Sequence, residues 1–140
     1  HSMHDEEALD ELHQASVRPL ADDELWMERF IDYWSGAGHW RRMPELQREH
    51  AIRYATRTRE VVQALLDDRA AHTNYTGIEV PVTLVGALRS PIAARRVCQI
   101  LRSVLPDADY VEIDAGHMAP LEEPELVARL LKRHLERESQ

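Results

Sequence analysis

Cysteine is almost absent from this chain, and the single thiol, Cys98, can form no internal disulfide. It falls in a helical pattern beside Val97 and Ile100, which reads as a buried, inert position rather than a nucleophile. No apolar run approaches the ~18 residues that a membrane span needs, so a cytoplasmic chain with no membrane partner is expected. Basic residues are outnumbered, 17 Lys and Arg against 25 Asp and Glu, for a formal net charge of −8. A surface of that sign repels a phosphate backbone, which argues against a nucleic-acid partner. The two basic pairs, Arg41-Arg42 and Arg95-Arg96, read as solvated helix charges. Histidine is plentiful, but His4, His13, His39, His50, His72 and His134 share no ligand spacing. No metal and no cofactor is therefore expected. There is no internal repeat and no low-complexity segment.

What is present suits one soluble domain or a large part of one: 140 residues, 44% hydrophobic and 30% charged. His1-Ser2-Met3 reads as a tag remnant ending in a start methionine and is set aside. The rest divides into two halves of different period. Residues 5–76 hold no convincing strand and are expected to be helical. Glu6 to Ser16 places Leu9, Leu12 and His13 on one side, and Arg18-Pro19 interrupts it, since proline cannot donate into a helix ladder. Asp22 or Asp23 then caps a helix carrying Leu25, Trp26, Phe30, Tyr33 and Trp34, which Ser35-Gly36-Ala37-Gly38 ends. Pro44 opens a run towards Asp67-Asp68, with a break near His50 to Tyr54 and a stripe of Val61, Val62, Leu65 and Leu66.

Residues 78–138 read differently. Val80 to Val85 is a β-branched run, the pattern of a strand buried on both faces. Pro91 opens a helix with Ala93, Val97, Ile100, Leu101 and Val104 at helical spacing, and Pro106-Asp107 stops it. Tyr110 to Ile113 is a second strand, and Pro124 opens a closing helix with Leu126, Val127, Leu130, Leu131 and Leu135. Strand, helix, strand, helix at this spacing predicts an α/β fold: a βαβα unit with two parallel strands and a right-handed crossover.

The chemistry concentrates in the loop after the second strand. Gly116 directly before His117 lets backbone approach closely and presents an imidazole at the sheet's carboxyl rim, where open α/β sheets place their sites. Histidine suits a general base because it titrates near neutral pH. The aromatic cluster of Trp26, Phe30, Tyr33, Trp34 and Trp40 either packs the helical half or lines a cavity; Trp34 and Trp40 are the residues expected to line one.

From Val80 to Leu135 the sequence resembles the C-terminal end of the α/β-hydrolases. The likeness rests on the strand Val-Pro-Val-Thr-Leu-Val-Gly at 80–86, the turn Leu105-Pro106-Asp107-Ala108, and the loop Gly116-His117-Met118-Ala119-Pro120-Leu121-Glu122-Glu123-Pro124. Upstream, Phe30 to Trp40 resembles the cap of one bacterial branch of that family. The resemblance implies a partial α/β-hydrolase, a helical cap followed by the last two core strands. It makes His117 the catalytic histidine, relaying a proton between nucleophile and leaving group, and sets Met118 beside the substrate cavity.

Two features depart from the family pattern. The nucleophile elbow, Gly-x-Ser-x-Gly on a strand-turn-helix, is missing from the sequence. Where many relatives carry the triad aspartate, the loop reads Ala87-Leu88-Arg89-Ser90-Pro91, and neither Arg89 nor Ser90 can orient an imidazole as a carboxylate does. Asp114 either shapes the turn or orients His117. The expectation is a C-terminal fragment of a serine-type α/β-hydrolase, of the esterase or C–C bond hydrolase class, inactive alone and serving a small-molecule substrate in its full-length parent. The alternative is a non-catalytic, self-assembling interaction module. In either case the thin sheet favours a homodimer, through the Val80–Val85 strand edge or through exchanged cap helices.

Overall fold

The computed structural model describes residues 3–17, 22–68 and 71–138. The interruption expected at Arg18-Pro19 and the His1-Ser2 remnant lie outside the described residues. The chain forms two compact units, His1–Arg69 and Ala70–Gln140.

The first unit is helical: α1 (Met3–Leu12), a π-helical turn (His13–Val17), α2 (Asp23–Ser35), α3 (His39–Arg42), α4 (Glu45–Arg53) and α5 (Ala55–Asp67). Asp22 caps α2, its carboxylate accepting from the Glu24 N–H at 2.8 Å, and Asp23 and Glu24 add negative charge where the helix dipole favours it. Gly36, with φ 98°, ends α2 in a conformation that side chains resist, and its N–H donates back to the Asp32 carbonyl. The Asp32 carboxylate then turns the chain into α3. One oxygen accepts from the Gly38 N–H (2.8 Å) and the other from the Trp40 N–H (2.7 Å). Trp26, Met27, Trp40 and Ala55 form the buried core, flanked by Phe30, Ile31, Met43, Ala51 and Ile52. Trp26 stacks on Phe30 at 5.0 Å, and the Arg59 guanidinium lies 4.7 Å over the Trp26 ring while pairing with Asp23.

Two helical faces differ from their expected ones. In α1 Leu9 is exposed and Ala8 is buried; in α5 Val61 and Leu65 are exposed while Val62 and Leu66 are half-buried. The long run from Pro44 breaks at Tyr54.

The second unit is mixed α/β: a 3₁₀ segment (His72–Gly77), β1 (Thr83–Ala87), α6 (Ile92–Val104), β2 (Asp109–Ile113), α7 (Ala119–Glu122) and α8 (Pro124–Glu138). The 3₁₀ segment packs on α6, which is why it belongs here and not, as expected, with the helical half. The two strands pair in parallel, Thr83 opposite Asp109 through Ala87 opposite Ile113. The strand begins at Thr83 and not at Val80, where the chain bends; the ladder opens with the Asp109 N–H on the Val82 carbonyl (2.9 Å).

The ladder decides which way each residue of β1 faces. It closes with the Leu88 N–H on the Ile113 carbonyl (2.9 Å). Bonds of a parallel pair recur at every second residue, so Val82, Leu84, Gly86 and Leu88 face β2, whereas Thr83, Val85 and Ala87 turn their backbone groups to the opposite edge. Among the described residues no strand pairs there.

Helices cover the two faces of this small sheet. On one, Ile113, Ala115 and Ala119 are buried against Ala87, Val111 and the α8 residues Leu126, Val127 and Leu130. The Thr83 hydroxyl bonds His134 Nδ1 of α8 at 2.9 Å, and Arg133 and Arg137 of α8 pair with Asp109. On the other face Tyr110 leans over Gly86, and Arg102 of α6 stacks 4.4 Å from the Tyr110 ring.

Candidate functional site

The site is built from the two loops that leave the carboxyl ends of β1 and β2. Parallel strands end on the same side of a sheet, so both loops emerge together. Backbone bonds join them: the Arg89 N–H donates to the Ala115 carbonyl (3.0 Å), and the Arg89 guanidinium pairs with the Asp114 carboxylate. The Ser90 N–H donates back to the Ala87 carbonyl (3.1 Å), which tightens the β1 loop before Pro91 starts α6. After β2 the chain turns through Ala115 and Gly116 into the short helix α7, for which Met118 is the N-cap. A Cβ on Gly116 would lie 3.2 Å from a Glu122 carboxylate oxygen, so glycine serves close approach here and φ stays negative.

That turn sets His117 on the wall of a cavity of about 470 Å³. Thr83, Val85 and Ala87 of β1 form its floor, Ala94, Arg95 and Cys98 of α6 one side, and Val127, Leu130, Leu131 and His134 of α8 the other. Ser90, Ile113, Ala119 and Pro120 close the end near His117. The lining is mostly apolar, with polar groups at its ends, the usual make-up of a small-molecule pocket. His117 is exposed overall, yet the burial of its ring disfavours the charged form and holds its pKa below the ordinary 6.5. Burial thus favours the neutral imidazole, the form in which a histidine can act as a base. Burial pushes the Cys98 thiol up, with Arg102 opposing and Glu112 adding to the rise, so Cys98 stays a protonated, weak nucleophile.

The residues singled out from sequence fall in different places. His117 lines the cavity; Met118, half-buried at the start of α7, is not among its lining residues. Asp114 is held by Arg89. Trp40 is buried in the core of the helical unit, and Trp34 sits edge-on to Phe30 and Tyr33 in that unit. The cavity also gathers Ser90, Arg95, Cys98 and His134, which sequence reasoning did not place there. A signal for His134 existed: Val127, Leu130, Leu131 and His134 recur at i, i+3, i+4 and i+7, one face of α8. Among the described residues no group of three or more His, Cys, Asp or Glu is placed to hold a metal ion, and no helix is long and apolar enough to cross a membrane.

No protein-family model, no curated protein and no solved structure matches this chain.

Proposed function

We propose that this chain is the C-terminal part of a serine-type α/β-hydrolase, of the esterase or C–C bond hydrolase class, and that His117 is its general base. One observation carries the reading. A neutral imidazole stands at the carboxyl end of a parallel strand, on the wall of an apolar cavity large enough for a small ester or diketone-like acid. In that role His117 takes the proton of a serine hydroxyl as it attacks a carbonyl carbon, then returns it to the leaving group. The serine, the oxyanion donors and the orienting acid belong to a segment outside this sequence. A base with nothing to activate does not turn over, so the chain by itself is expected to be inert towards acyl transfer.

Short p-nitrophenyl esters test this on the purified chain. The expected result is hydrolysis no faster than buffer. Turnover that disappears in His117→Ala would mean that the nucleophile lies within the chain, and would point to Ser90, which shares the cavity with His117.

A second reading, a self-assembling module without catalysis, is favoured by a different observation, the outer edge of β1, on which no strand pairs among the described residues.

A further inference from the structure

We propose that the end of the cavity where α6 begins is a carboxylate subsite, formed by Ser90, the open N-terminus of α6 and Arg95. The ligand is then a small acid with an apolar body. The proposal rests on the proposed function only in giving this cavity to the substrate, and it narrows that substrate to an anion.

Ser90 supplies the first argument. It is 9% exposed and lines the cavity, and among the described residues nothing bonds its hydroxyl. A hydroxyl drawn this far out of bulk water costs stability until it finds a partner. On a cavity wall, a polar group of the ligand is that partner.

The adjoining backbone supplies the second. Pro91 stands at the N-cap of α6, and no side chain caps that helix. The Arg95 N–H donates to the Pro91 carbonyl at 3.1 Å, whereas the N–H groups of Ile92, Ala93 and Ala94 meet no backbone acceptor among the described residues. Ser90 and Ala94 lie one turn apart and both line the cavity, which sets this open end at its wall. Free N–H groups and the positive end of the helix dipole favour an anion there.

Charge supplies the third and names the ligand's head group. Arg95, in the first turn of α6, is exposed on the cavity wall, and its guanidinium has no acceptor among the described residues. Arg41, Arg59, Arg89, Arg133 and Arg137 are each paired with a carboxylate of the chain. Asp and Glu outnumber Lys and Arg by 25 to 17, yet none of the described residues lining this cavity is acidic. One guanidinium and one helix end balance a single negative charge, which suits a carboxylate better than a phosphate dianion. Val85, Leu130 and Leu131 offer apolar wall for the body of the acid.

Phenylacetate and phenylacetamide, alike in shape and different in charge, separate a carboxylate subsite from a merely apolar cavity. Titration calorimetry on the purified chain at low salt is expected to show the acid binding about tenfold more tightly than the amide. Arg95→Gln is expected to weaken phenylacetate about fivefold, the upper range for an exposed ion pair, and to leave phenylacetamide unchanged. Ser90→Ala is expected to weaken phenylacetate about tenfold, the loss of a hydrogen bond to a charged group. Arg95 is exposed, so its variant keeps the test decisive if Ser90→Ala fails to fold. Equal affinity for acid and amide, no binding of either, or an Arg95→Gln chain that binds the acid as before would each overturn the proposal. None of these readouts uses turnover; a failed role for His117 shows instead as activity kept by the full-length parent after His117→Ala.

Discussion

At the scale of single residues, the lowered pKa of His117 is the property on which its proposed role depends. Its pKa lies below 6.5 in the folded chain because burial penalises the cation, so the unfolded chain binds the proton more readily. The sign follows. The contribution to stability is complete above the unfolded value, falls as pH drops through it, and is lost below the folded value. A proton NMR titration is expected to place the His117 midpoint below 6.5, and His117→Gln is expected to flatten the stability profile in that window. A midpoint at or above the ordinary value would mean that a nearby negative charge outweighs burial. The place of His117, in the loop that leaves the second strand, was legible in the sequence, because Gly116-His117 directly follows a β-branched run. The fate of Asp114 was not: its hold on Arg89 joins two loops that lie 25 residues apart, and spacing along the chain does not encode that meeting.

Trp40 shows the same limit from the other side. An aromatic near a glycine-rich turn fits either a cavity or a core, and composition does not choose between them. The structure buries Trp40 to 4% exposure beside Trp26, Met27 and Ala55, with Asp32 holding its backbone N–H. Trp40→Ala is therefore expected to cost about 3–5 kcal/mol in urea unfolding, the range for emptying an aromatic site in a core. A loss below about 1 kcal/mol would return Trp40 to a surface role.

At the scale of elements, β1 and β2 came close to their expected positions because both rest on local signals. A bend at Val80 precedes the first strand, and Pro106-Asp107 separates α6 from the second. The helical faces were less legible. Val61, Val62, Leu65 and Leu66 mark two adjacent rows on α5, and the sequence carries nothing to say which row the small unit has neighbours to cover. The sheet contains a tight contact that periodicity does not reveal. A Cβ built on Gly86 lies 2.5 Å from the Tyr110 hydroxyl oxygen and 3.1 Å from the ring carbon that bears it. Tyr110 cannot simply swing aside, because its hydroxyl donates to Glu112 and Arg102 stacks on its ring. Gly86→Ala is expected to destabilise the chain by about 1–3 kcal/mol, the usual cost of overpacking. Adding Tyr110→Val should recover part of that loss, and strict additivity in the double-mutant cycle would show that the two positions do not touch.

At the scale of the whole molecule, the change of hydrophobic period near Val80 announced a helical part followed by an α/β part, and the chain does form two compact units. Their division falls before His72, because the 3₁₀ segment packs on α6, a contact with no sequence signature of its own. A sheet of two parallel strands is thin, and its carboxyl rim carries one histidine of a site whose other groups the proposed function places outside this sequence. The decisive measurement joins the chain to a core carrying a Gly-x-Ser-x-Gly elbow, its full-length parent, and compares ester or C–C hydrolysis with and without His117→Ala. The proposed role predicts a fall of roughly a thousandfold or more in kcat with the fold intact by circular dichroism. A variant keeping about a tenth of the parental rate would contradict it, since losing the general base of a triad leaves far less than that.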